Sequence, residues 1–167
     1  MTESHSTRRP EEDAPLVLVV DDNDDDLALF RRAVRQLNYP GRIHYLDSGD
    51  KAMAYLAGSG DFEDRAQFPA PDFLILDLKM PGTSGFDVLT WLIDHQITLS
   101  RTVVLTSSDE PREISRASAL GAPSFLTKSV DFSEFKETVG ALLTSFQASG
   151  RDLANTSGPR ELRALPA

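Results

Sequence analysis

Leu16-Val-Leu-Val-Val20 runs without a break into Asp21-Asp-Asn-Asp-Asp-Asp26. A strand with one wet face would alternate apolar and polar side chains. A run apolar at every position instead fits a strand covered on both faces, as in a parallel sheet. The abrupt change to acids marks the carboxyl end of that strand. The pattern returns at Phe73-Leu-Ile-Leu76, another buried run, which also ends in an aspartate, Asp77. Shorter runs at Ile43 to Leu46, Thr102 to Leu105 and Ser124 to Leu126 supply the second, fourth and fifth strands.

Helical periods fill the gaps. Leu27, Phe30, Val34 and Leu37 recur at spacings of three and four, with Asn23 or Asp24 as the cap. Ala52 to Ala57 forms a second helix stopped by Gly58-Ser-Gly60, and residues 59–71 read as a polar loop. Phe86, Leu89, Leu92 and Ile93 give a third helix, opened by Thr83-Ser-Gly85. Ile114, Ala117 and Leu120 give a fourth, closed by Gly121. Phe132, Phe135, Val139, Leu142 and Phe146 hold one face through a fifth. Strands alternating with helices predict an α/β three-layer sandwich around a doubly wound, five-stranded parallel sheet. The predicted folded domain spans 16–146, between a flexible arm at 1–15 and a flexible tail at 147–167.

Composition narrows the function classes. The chain has 167 residues, 40% hydrophobic and 26% charged, which suits one soluble domain with a core. It has no cysteine, so disulfides, thiolate metal sites and cysteine nucleophiles are excluded. No apolar run reaches the roughly 18 residues of a membrane span, and residues 1–15 hold no apolar signal segment. A cytoplasmic protein is expected. The net charge of −9 argues against general binding to nucleic acid or anionic membrane.

In doubly wound sheets, ligands sit beyond the carboxyl ends of the strands. Those positions hold Asp21 and Asp22, Asp77, Thr106 and Lys128. In the order 2-1-3-4-5 the first and third strands are neighbours, so three carboxylates converge on one cleft. Carboxylates about 4 Å apart repel by roughly 4 kcal/mol at an effective dielectric near 20, so such a cluster raises a pKa or holds a cation. Hard oxygen ligands suit Mg²⁺, and a nearby ammonium and hydroxyl complete the groups a transferring phosphoryl needs.

This constellation resembles the receiver domain of two-component response regulators, a flavodoxin-like fold. The matching stretches are Val19-Val-Asp-Asp22, Leu74-Ile-Leu-Asp-Leu-Lys-Met-Pro-Gly82, Val104-Leu-Thr106 and Leu126-Thr-Lys128. The resemblance implies that Asp77 accepts a phosphoryl group from a sensor histidine kinase. It implies Mg²⁺ among Asp21, Asp22, Asp77 and the backbone carbonyl of Lys79, with Thr106 and Lys128 holding the phosphate. Phe125 takes the position of the family's rotating aromatic switch, or is plain core. The loop 59–71, Thr106-Ser-Ser108 and Thr127-Lys-Ser129 are similar to the stand-alone regulators that partner bacterial phytochrome kinases, some of them homodimers.

Two residues depart from the family's pattern. Ser129 stands where the family has proline, often after a cis bond; for a non-proline that bond costs about 2.5–4 kcal/mol. Lys79 stands where asparagine is frequent and helps to position the hydrolytic water.

Asp24, Asp25 and Asp26 read as a solvated helix cap, and Trp91 as packing. His5, His44 and His95 share no strand end and carry no role. A magnesium-dependent hydrolase or phosphotransferase with Asp77 as nucleophile is the alternative, but the short loops leave little material for a substrate cap. A nucleotide site would need a glycine-rich loop after the first strand, where aspartates stand instead. Too few residues follow Phe146 for a helix-turn-helix domain, so output is expected through a downstream protein target, without nucleic acid or membrane. Arg112, Arg116, Glu134 and Glu137 flank the face of the fourth helix, fifth strand and fifth helix. They pair across a two-fold axis in a homodimer, or keep a monomer soluble.

Overall fold

The computed structural model describes residues 14–97, 101–107 and 110–154. Residues 1–13 of the expected arm, 155–167 of the expected tail, and Ser108 lie outside the described residues. The elements are β1 (Leu16–Val20), α1 (Asp24–Gln36), β2 (Arg42–Leu46), α2 (Gly49–Ala57) and β3 (Phe73–Leu76). They continue with α3 (Gly85–Asp94), β4 (Thr102–Thr106), α4 (Pro111–Ala119), β5 (Ser124–Thr127) and α5 (Phe132–Ala154). All strand pairs are parallel, in the order β2-β1-β3-β4-β5. The predicted doubly wound sandwich is the fold that forms.

The two cores explain why β1 and β3 are apolar throughout. Leu18, Val20, Leu74, Leu76 and Val104 face one side, against Tyr55 of α2 and Val88, Leu89 and Leu92 of α3. Val17, Val19, Phe73, Ile75 and Leu105 face the other, against Phe30 of α1 and Phe135, Val139 and Phe146 of α5. Alternate residues of one strand thus feed two separate cores. The edge strand β5 is wetter, with Ser124 and Thr127 exposed. Asn23 is the cap of α1, its side-chain oxygen accepting from the amides of Asp25 at 2.9 Å and Asp26 at 3.2 Å.

Several local expectations change. Ile93, expected on the buried stripe of α3, is 45% exposed. Of the adjacent Leu142 and Leu143 on α5, Leu143 is the buried one and Leu142 is only half-buried, because a stripe at 3.6 residues per turn drifts around the axis. The helix also continues past Phe146 to Ala154. No proline follows before Pro159, and the glycines of the helix, Gly140 and Gly150, cost about 1 kcal/mol each, which a long helix tolerates. The loop 59–71 is polar by composition but carries a small aromatic cluster. Phe62 and Phe68 pack on Tyr55 with ring centroids 5.1 and 6.0 Å away. Arg65 donates to the carbonyls of Tyr55 and Leu56 at 2.9 Å each, satisfying the open end of α2. Among the described residues, no helix is long and apolar enough to cross a membrane.

Gly85 opens α3 where the chain presses on the end of β3. A Cβ there would lie 2.2 Å from the carbonyl oxygen of Asp77 and 2.7 Å from Cα of Leu78. Neither backbone atom can turn aside as a side chain would. Gly85→Ala is therefore expected to cost about 1–3 kcal/mol through overpacking, read as a lower urea midpoint with an unchanged slope.

Candidate functional site

The sheet register builds the site. The amide of Asp21 donates to the carbonyl of Leu46 at 3.0 Å, and that of Asp77 to the carbonyl of Val20 at 3.0 Å. The ladder thus runs one residue past β1 and β3, setting the two aspartates side by side. Asp22 follows directly. Carboxylate oxygens of Asp21, Asp22 and Asp77 all lie within 4.8 Å of one another. Asp21 and Asp77 are only 5% and 6% exposed, while Asp22 is half-buried.

Lys128 enters from the neighbouring edge. Its amide donates to the carbonyl of Thr106 at 2.8 Å, extending the β4–β5 ladder. Its ammonium is 2.5 Å from Oδ2 of Asp21, 2.8 Å from Oδ2 of Asp26 and 3.7 Å from Oδ1 of Asp77. The last distance is an ion pair but not a hydrogen bond, and Oδ1 of Asp77 is buried without a hydrogen-bond partner. Burial pushes Asp77 up to about 6; the charges of Asp21 and Asp22 push the same way and Lys128 opposes them. Burial also raises Asp21, against its hydrogen bond from Lys128. Burial alone would lower Lys128, but hydrogen bonds to Asp21 and Asp26 and the charge of Asp77 outweigh it, so its pKa is raised. The ammonium stays charged.

Three hard carboxylates, one of them with a buried oxygen that has no hydrogen-bond partner, have the donor chemistry to hold a divalent oxygen-bound cation such as Mg²⁺. The other residues fall as follows. Thr106 ends β4 and is 2% exposed, beside this cleft in the strand order. Lys79 lies in the loop after Asp77, and its exposed ammonium turns to α4, 3.5 Å from Glu113 and 3.9 Å from Glu110. Phe125 is half-buried and packs at the margin of the core under α3 and α4. No cis peptide occurs among the described residues, so Lys128–Ser129 is trans, and the Ser129 hydroxyl donates to Glu134 at 2.7 Å.

Asp26 corrects the sequence reading. Assigned there to a solvated cap, its carboxylate reaches Lys128 inside the cleft. The missed signal was phase: the third residue of a helix leans back over its own N-terminus, here toward the end of β1. Two charges expected at a dimer face are also engaged within the chain. The Arg116 guanidinium sits 4.1 Å over the ring of Phe86, and Glu134 accepts from Ser129.

Residues 17–140 match the family model described as Response regulator receiver domain. The probable methanogenesis regulatory protein FilR2 of Methanothrix harundinacea is 31% identical over 129 residues, covering 77% of this chain and 81% of that protein. Response regulator Rcp1 of Synechocystis is 30% identical over 116 residues, covering 68% and 76%. Several further curated relatives are longer, and the match spans 53–59% of them. The solved structure of the phosphorylated cyanobacterial phytochrome response regulator RcpA superposes with a TM-score of 0.72 at 26% identity, covering 81% of this chain and 95% of that one. The Mn²⁺-bound form of Rcp1 superposes with a TM-score of 0.71 at 23% identity, covering 87% and 99%, a likeness of fold. With its parallel order 2-1-3-4-5, its acidic cleft at the strand ends and this family match, the chain belongs to the response regulator receiver domains.

Proposed function

We propose that Asp77 is the phosphoacceptor of this receiver domain, taking its phosphoryl group from a phosphohistidine of a sensor kinase. The observation that carries the proposal is Oδ1 of Asp77, buried, without a hydrogen-bond partner, and facing the Lys128 ammonium at 3.7 Å. With a pKa near 6, the carboxylate is mostly ionised at neutral pH and able to attack. The new O–P bond forms as the N–P bond to histidine breaks, and the imidazole leaves. Lys128 neutralises charge on the transferred group, and the Thr106 hydroxyl donates to it. Asp21, Asp22, Asp77 and the backbone carbonyl of Lys79 would hold Mg²⁺, which when bound screens the phosphoryl oxygens from these carboxylates.

The chain catalyses its own phosphorylation and dephosphorylation and no external turnover. The partner kinase is of phytochrome type, a reading supported by the likeness to Rcp1 and RcpA. Output runs in the cytoplasm through a downstream protein. Phe125 couples the site to the face of α4, β5 and α5, where a second copy is one candidate partner.

Incubation with acetyl phosphate and Mg²⁺, followed by peptide mapping, tests the assignment. One phosphoryl group is expected, on Asp77, and none on Asp77→Asn. Unchanged labelling of that variant would refute the proposal.

A further inference from the structure

We infer that Asp26 is a positioning residue, whose carboxylate holds the Lys128 ammonium off Asp77 and so sets how tightly the site takes up a phosphoryl group. The inference rests on the phosphoacceptor reading of Asp77. An ammonium has three N–H donors. Two are directed at Asp21 and Asp26, at 2.5 and 2.8 Å, while Asp77 stands at 3.7 Å, outside hydrogen-bond range. The consequence is visible on the other partner, since Oδ1 of Asp77 is buried and has no hydrogen bond. Asp26 thus competes with Asp77 for one cation.

Asp21 also touches Lys128, but it belongs to the carboxylate trio suited to a metal, and Asp26 does not. Asp26 is the member of the Lys128 pair set free to act on the lysine alone. Its position is fixed: it is the third residue of α1, and its amide is held by the Asn23 cap at 3.2 Å. Its carboxylate is 34% exposed against 11% for the Lys128 side chain, so water screens the contact only in part. Drawing the ammonium onto a phosphoryl group at Asp77, even through its third N–H, pulls it off the position these two bonds hold, and the bond to Asp26 is the one no metal would compensate. Asp25, one residue earlier in the same helix turn, is exposed and carries the same charge. It therefore serves as the internal control for the field of the helix start.

Calorimetric titration with beryllofluoride at saturating Mg²⁺, and with Mg²⁺ alone, tests this on the full chain. Asp26→Ala is expected to bind beryllofluoride about tenfold more tightly. It should bind Mg²⁺ alone several-fold more weakly, because the released ammonium moves onto Asp77. A residue that merely supported the fold would weaken both or neither. Asp26→Glu should return toward wild type, and Asp25→Ala should change each affinity less than twofold. In a Lys128→Met background the added Asp26→Ala should change beryllofluoride affinity less than twofold, since the effect passes through the lysine. Equal shifts from Asp25→Ala and Asp26→Ala would overturn the inference, as would a full effect persisting without Lys128. Wild type that binds no beryllofluoride at all would instead bring down the phosphoacceptor reading, and this inference with it.

Discussion

In metal-free buffer, the stability of Asp77→Asn relative to wild type is expected to grow by about 3 kcal/mol between pH 4 and pH 8. The cause is the proton that the native state keeps. Asp77 titrates near 6 in the folded chain, against 3.8 for an ordinary aspartate. Between those values the native state binds more protons than the unfolded chain, so stability falls as pH rises through the window. Below pH 4 both states are protonated and the site costs nothing. Above pH 6 the native state holds a buried carboxylate beside Asp21 and Asp22, and the whole penalty is present. Roughly two pKa units at 1.36 kcal/mol each give the stated size, or roughly 10 °C in melting temperature for a domain of this length. Asparagine keeps the shape and removes the charge. Millimolar Mg²⁺ should close the gap at pH 8, because a divalent cation held by the three carboxylates would stabilise the native wild type, and the variant would offer one carboxylate fewer. Melting curves of both proteins at half-unit pH steps, with and without EDTA, check this. A gap that stays constant with pH would mean that Asp77 is not the strained group.

Much of this site was legible because strand ends are legible. Val20 to Asp21 and Leu76 to Asp77 are abrupt changes from buried to acidic, and a doubly wound sheet puts both at one edge. Lys128 was found the same way, by its register after β5. What composition could not give was the rotation of side chains around a helix axis. The acids from Asp24 to Asp26 all satisfy the helix dipole, so a cap explained them without remainder. Only the folded chain brings Asp26 to a lysine 102 residues away. Nor does the pattern show that the Arg116 guanidinium packs on Phe86 of the adjacent helix. In the loop 59–71, Phe62 and Phe68 sit among acids and glycine with no period of their own. Their burial depends on Tyr55, whose hydroxyl fixes the loop through the carbonyl of Pro69 at 3.0 Å. Local pattern carries strands and caps; partners far apart in sequence carry the rest.

Lys128→Met should be the most damaging single change to the metal-free site, costing about 3–5 kcal/mol at pH 8. The lysine is the cation shared by Asp21, Asp26 and Asp77, and its side chain is only 11% exposed. Methionine fills a similar volume and supplies no charge, so the loss is not one of packing. It strands the Asp21 carboxylate, 8% exposed, with no counter-charge, and a buried charge left alone costs far more than the pair was worth. Lys51 gives the scale for an ordinary ion pair. Its ammonium is 2.7 Å from Asp47, but the two side chains are 55% and 50% exposed. Lys51→Met should therefore cost less than about 1 kcal/mol. Two conditions should relieve the Lys128 variant and leave the Lys51 variant unmoved. At pH 4 the stranded carboxylates take up protons, and in millimolar Mg²⁺ the metal replaces the missing positive charge. Urea unfolding of both variants at pH 4 and pH 8, with EDTA or Mg²⁺, separates these cases. Equal losses for the two lysines, or a Lys128 loss unaffected by acid and metal, would show that Lys128 is only a packed stem and that the acidic cleft does not depend on its charge.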